Sequence, residues 1–159
     1  TQAKTLFPYT TLFRSYRVKF VNPWTATYLR KGKDVINGTE THRCFQYVEK
    51  AEVIKVITKG LNKSQVTVAF KDAAGVAHNV DLLLTFNGDD CTISSNTDGV
   101  EVSGSGKFVK KDQLMGEFKR NTLYLNYNVK SADLGTIETT DTMVVRNRGI
   151  EFKTFVPKK

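Results

Sequence analysis

Residues 121 to 130 alternate without a break: Leu123, Leu125, Tyr127 and Val129 share one parity, and Thr122, Tyr124, Asn126 and Asn128 the other. A period of two sends successive side chains to opposite faces of an extended chain, so this stretch specifies a strand with one face on a core and one in water. The same pattern recurs at Val66, Val68 and Phe70, and again at Val80, Leu82, Leu84 and Phe86. Tyr16, Val18 and Phe20 alternate with Arg17 and Lys19 until Asn22-Pro23, where the missing amide of proline stops a ladder. The β-branched run Val53 to Ile57 favours a strand as well. Turn formers separate these runs: KDAAG at 71–75, Asn87-Gly88 with the chemistry of a type I′ hairpin, and Asp98-Gly99. GSG at 104–106 suggests a bulge or bend, residues 24–41 read as a loop with short extended pieces, and 110–120 as a charged connection. Ile137 to Arg146 and Ile150 to Val156 complete about nine or ten strands.

No stretch of helical length keeps the 3.6-residue period that crossover helices would show. The expected fold is all-β: a single antiparallel meander closing into a lipocalin-like barrel or folding as a sandwich. Phe20, Val68, Phe70, Leu82, Leu84, Leu123, Leu125, Tyr127, Val144 and Phe152 are its expected core. The length of 159 residues suits one such domain. No apolar run approaches the roughly 18 residues of a helical membrane span.

One segment does not belong to this pattern. Thr5 to Ser15 reads TLFPYTTLFRS and looks like the translation of a widely used short-read sequencing adapter. Residues 1–15 are therefore read as a non-native segment and 16–159 as the single β domain. On that reading the native N-terminus, with any leader or lipid-attachment cysteine, is missing.

A net charge of +8 puts nucleic acid among the partners to weigh. The basic residues are scattered among apolar ones and form no run of like charge, as on the wet face of strands, so a solvated surface is favoured over a nucleic-acid site. Cys44 and Cys91 allow either one disulfide or two buried thiols. With His42 and His78 as the only histidines and no C-x-x-C pair, neither a metal site nor a cofactor is expected. GSGK at 104–107 lacks the first glycine and the hydroxyl residue of a phosphate loop, and the aspartates at 89, 90 and 98 lack calcium-loop spacing. The triplets beginning at Asn37 and Asn62 are of glycosylation type but common by chance. No nucleophile stands beside a base, and no catalytic residue is assigned. Asp141 shares the inward parity of Ile137, Met143 and Val145, and the expectation is that a strand end or bulge returns it to water.

The aromatic residues are more informative. A sugar is commonly held by a ring that covers its C–H face, flanked by amides and hydroxyls. Tyr124 lies on the outward parity with Asn126 and Asn128, and Trp24 and Tyr28 follow the first strand. These five residues are the candidate ligand-binding set.

The stretches VSGSGKFVKKDQ at 102–113, NTLYLNYNV at 121–129 and DTMVVRNRGIEFKTFVP at 141–157 carry a family resemblance. They resemble the C-terminal β-domain of Bacteroidota surface lipoproteins, described mainly as domains of unknown function and encoded beside starch-utilisation-type glycan-import systems. The match departs from that pattern at Asn147, where an aspartate is usual, and over 110–120, where a tryptophan is common. The resemblance implies a non-enzymatic, lipid-anchored module at the cell surface or outer membrane. Its role would be capture of polysaccharide or other glycans, as direct binder or spacer, with outer-membrane import proteins as partners. A basic nucleic-acid-binding barrel and a carrier of an apolar ligand are the alternatives.

Overall fold

The computed structural model describes residues 20–43 and 51–149. The segment 1–15, the expected strands at 16–19 and 150–156, Cys44 and Phe152 lie outside them. Among the described residues the chain forms nine strands and no helix: β1 (Ala26–Ile36), β2 (Thr39–Arg43), β3 (Glu52–Thr58), β4 (Lys63–Lys71), β5 (Ala77–Asn87), β6 (Asp90–Ser95), β7 (Val100–Met115), β8 (Phe118–Ser131) and β9 (Gly135–Asn147). All pairings are antiparallel, and β1 closes onto β9 through Thr27 to Ile36, so that β1 and β3 to β9 make an eight-stranded closed barrel. The extra strand β2 shares one side of β1 with β3. Gly32 to Ile36 pair with β2, and Ala26 to Arg30 pair with β3.

Local chemistry sets the corners. Ile36 pairs with Thr39 across Asn37 and Gly38, whose φ angles of 51° and 80° are those a type I′ turn requires. The expected loop over 24–41 is therefore a long strand and its hairpin. It escaped the alternation rule because Arg30, Gly32 and Asp34 occupy inward positions where apolar residues are expected. The β5–β6 turn also sits one residue later than expected: Asn87 pairs with Asp90, leaving Gly88 (φ 67°) and Asp89 as the loop.

Inward residues fill the barrel. Val66, Val68, Phe70, Val80, Leu82, Leu84, Leu123, Leu125, Tyr127 and Ile137 are all buried, and burial of such side chains is the main force holding the fold. Phe20 is not among them; it is 54% exposed. The chain enters the barrel only at Asn22, whose buried amide donates to Gly60 O, Lys63 O and Ser64 Oγ while its carbonyl accepts from Thr25. Trp24 then stacks on Phe86 with ring centroids 3.9 Å apart. These contacts close that end of the barrel and leave Phe20 outside.

Two further expectations are corrected. GSG at 104–106 makes no bulge: Gly104 and Gly106 stay in register opposite Tyr127 and Leu125. A Cβ at Gly104 would run into Tyr127, and one at Gly106 into Leu125 and Cys91, so the glycines serve close packing. The irregularity lies between Val109 and Gln113, where Lys111 adopts φ 51° and its amide donates to Asn121 Oδ1 at 3.0 Å. Residues 110–120 are thus a bulge and the tip of the β7–β8 hairpin, Met115 pairing with Phe118.

Candidate functional site

Two groups of polar side chains stand out, one inside the barrel and one outside. The inner group is built on Asp141, which is 1% exposed and not returned to water. Its Oδ2 accepts from Arg30 Nε at 2.9 Å and from the Tyr127 hydroxyl at 2.8 Å. Its Oδ1 accepts from Arg43 Nη2 at 2.5 Å. Arg30 is also buried; it reaches Glu52 at 2.8 Å and Tyr127 at 3.3 Å. Arg43 further pairs with Asp34, which accepts from Thr139 at 2.7 Å.

Gly32 explains how two arginines reach one carboxylate. It pairs with Arg43 on one side and Asp141 on the other, and a Cβ there would overlap the Asp141 backbone and carboxylate. The missing side chain is the passage Arg43 uses. Burial alone would lower the Arg30 pKa, but the nearby carboxylates of Asp141 and Glu52 more than offset it and raise it. Burial, followed by the Asp141 charge, pushes the Tyr127 phenol well above its ordinary value. The cluster is a largely buried ionic network that reaches solvent at Glu52 and Arg43, and Arg43 Nε has no hydrogen-bond partner among the described residues.

The outer group lies over β5 to β8. Thr85, Thr92, Ser105 and Asn126 face outward there, with Asn87, Asp90, Lys107 and Tyr124 beside them, and together they line an open groove. Gly104 and Gly106 place no side chain behind it, which lets the sheet lie close to Cys91 and Leu125 at its floor. Tyr124 is held at its hydroxyl, which donates to Asp112 and accepts from Gln113 Nε2 at 2.9 Å. Burial, followed by the Asp112 hydrogen bond, raises its pKa. The bulge of β7 therefore fixes the ring in one position. The side chains of Thr85, Thr92, Ser105 and Asn126 make no hydrogen bond among the described residues. Their donors and acceptors point to solvent.

Of the five candidate residues, Tyr124 and Asn126 line this groove, and Asn128 is exposed further along β8. Tyr28 is fully buried and donates to Trp24 O at 2.7 Å, and Trp24 is stacked against Phe86. Both serve the end of the barrel, and Tyr28 has no face to offer a ligand. Thr85, Thr92, Ser105 and Lys107 were not singled out from sequence. Only their outward parity marked them, and parity alone does not say which strands are neighbours. His78 lies 2.8 Å from Asp72, whose carboxyl is held low first by that hydrogen bond and then by backbone amides. This pair clamps the turn between β4 and β5. Among the described residues no cluster of His, Cys, Asp and Glu could hold a metal ion. Cys91 is a buried free thiol, pushed up to about 12 by burial and then by Asp90.

A closed antiparallel barrel with a largely buried ionic cluster and a polar outer groove defines a small all-β domain. The chain belongs to the family described as Domain of unknown function (DUF5627), whose model matches residues 23–149. It is also similar to a structural-genomics protein of unknown function from Bacteroides ovatus, known from a crystal structure at 2.40 Å resolution. Identity is 38%, the TM-score is 0.80, and the match covers 86% of this chain and 46% of that one. The present chain therefore spans less than half of that protein's length. No curated protein matches. These findings agree with the Bacteroidota domain of unknown function that the sequence resembles.

Proposed function

We propose that this domain is a non-enzymatic module for glycan capture at the cell surface, carried by a lipid-anchored protein, and that the outer groove is its binding face. The observation that carries this reading is the pinned ring of Tyr124 beside four uncommitted hydroxyl and amide side chains. A fixed ring offers a sugar its C–H stacking face at little entropic cost, and free polar groups meet its hydroxyls. Affinity of this kind comes from short-range contacts. The resemblance to surface lipoproteins of glycan-import loci points the same way. The packed interior, filled by residues such as Tyr28, Arg30, Leu82 and Leu84, gives the apolar-carrier alternative little room.

The test is a glycan array probed with the chain, beside an oligonucleotide titration at low and moderate salt. Glycan binding that responds little to salt and is lost in Tyr124→Ala supports the proposal. Oligonucleotide binding that weakens steeply with salt would instead mark phosphate contacts and the basic-barrel alternative. Silence on every glycan would leave the domain a spacer that positions another module.

A further inference from the structure

The β7–β8 hairpin runs past the rest of the barrel. Pairing of β6 with β7 stops at Lys107 and pairing of β9 with β8 stops at Thr122. Beyond the bulge Gln113 pairs with Arg120, Leu114 with Lys119 and Met115 with Phe118, and no third strand flanks them among the described residues. Gly116, with φ 63°, and Glu117 form the turn. A two-stranded ribbon of this kind has no core against which to bury apolar side chains, yet its end carries Leu114, Met115 and Phe118. Leu114 is 66% and Phe118 65% exposed. Lys110, Lys111, Lys119 and Arg120 surround this apolar end, against the two carboxylates of Asp112 and Glu117. None of the four cations is held in an ion pair among the described residues. Asp112 is committed to the Tyr124 hydroxyl, and the Arg120 guanidinium lies 5.9 Å from the centroid of the Phe118 ring.

We propose that the tip of this hairpin is a peripheral docking point for an anionic lipid surface. Leu114, Met115 and Phe118 enter the boundary between headgroups and acyl chains, the depth at which amphipathic surface elements bury their apolar side. The long side chains of the four cations reach the headgroup charges around them. An apolar protein groove would bury the same three side chains but would leave the cations unanswered, whereas an anionic bilayer meets both. Glu117, at the turn, is repelled by such a surface and keeps the contact shallow. This docking does not depend on what the outer groove holds.

Co-sedimentation of the chain with vesicles of phosphatidylcholine alone, and of phosphatidylcholine and phosphatidylglycerol at roughly three to one, tests this. The chain should bind the anionic vesicles, more weakly as salt rises, and leave the neutral ones. Lys110→Gln with Lys119→Gln should weaken binding by about fivefold for each charge lost. Leu114→Ser with Phe118→Ser should weaken it by roughly tenfold or more, at unchanged melting temperature, because the ribbon lies outside the barrel core. Glu117→Gln should strengthen it. Phe118→Trp reports the contact directly, since the chain's own tryptophan, Trp24, is stacked on Phe86 at the barrel end. Its emission should shift to the blue on the vesicles and be quenched by brominated acyl chains. Absence of binding to the anionic vesicles, binding that survives both double variants, or bound Phe118→Trp chain with unshifted emission overturns the inference. Capture by polyglutamate but not by vesicles marks an acidic protein partner and overturns it as well.

Discussion

The inner and outer polar groups of this barrel are opposites in one respect. Inside, Arg30, Arg43, Tyr127 and Asp141 are bound to one another, and the Asp141 carboxylate alone accepts from three of them. Outside, Thr85, Thr92, Ser105 and Asn126 are bound to nothing among the described residues. A buried charge must be paired because the interior cannot solvate it, whereas an exposed hydroxyl is satisfied by water until a ligand replaces that water. Commitment therefore marks the groups that hold the fold, and its absence marks the groups free to recognise something. Removing a member of the first set should change stability; removing one of the second should change binding.

The sharpest way to break this contrast is Asp141→Ala. It leaves Arg30 with Glu52 alone, Arg43 with Asp34 alone and the Tyr127 hydroxyl without its acceptor, and removing one partner of a buried pair costs about 3–5 kcal/mol. Denaturant unfolding should show that loss. A change below about 1 kcal/mol would mean that water reaches Asp141 itself and screens its pairs.

Alkaline titration ranks next. Cys91, with an ordinary value of 9.0, is raised to about 12, and Tyr28 and Tyr127 are raised from 10.0, first by burial in each case. Their neutral forms are favoured in the folded state, so above the unfolded values the unfolded chain holds fewer protons than the native one. The linkage sign is then negative: stability is level below about pH 9 and falls as pH rises from there. The decline should steepen once the phenols join it. Cys91→Ala should remove the early part of the decline and keep the later part, as read from unfolding midpoints and tyrosinate absorbance. A profile flat beyond pH 10 would contradict the burial of both tyrosines.

The same contrast explains what could be read before the structure. Period-two alternation located β4, β5, β8 and β9, since there the inward positions are apolar and the outward ones polar. It failed over β1, where Arg30, Gly32 and Asp34 point inward to meet partners more than a hundred residues away in sequence. No local rule pairs Arg30 with Asp141, so the parity of Asp141 was read correctly and its burial was not. The groove was half legible. Tyr124 and Asn126 were visible on their strand, but alignment with Ser105 and Thr92 depends on a turn at 88–89 and a bulge at 110–112. A one-residue error at either place moves every side chain to the other face.

A smaller effect falls on the sheet between the two groups. In Gly106→Ala the new methyl meets Leu125 and Cys91, and overpacking of this kind costs about 1–3 kcal/mol. The strand should also lift from the core and make the groove shallower. The double variant Gly106→Ala with Cys91→Ala should recover part of the stability, because the thiol is one of the three groups the methyl meets, beside Leu125 and the backbone oxygen of Tyr124. If the single variant is as stable as the parent, the sheet is not held close to its core at this point.

The smallest effect on stability is expected at the groove itself, and it gives the contrast its strictest test. Ser105→Ala and Asn126→Ala remove side chains that have no partner to strand, so each should leave stability within about 0.5 kcal/mol of the parent. On the proposed reading each should weaken binding of a glycan captured in the groove, because the sugar hydroxyl that replaced water finds no partner there. Tyr124→Phe separates the ring from its anchor: stacking survives, while Asp112 and Gln113 lose the hydroxyl that fixed the ring. Its affinity should fall less than that of Tyr124→Ala. Equal losses in the two tyrosine variants would mean that the hydroxyl network, rather than the ring face, is what the ligand contacts.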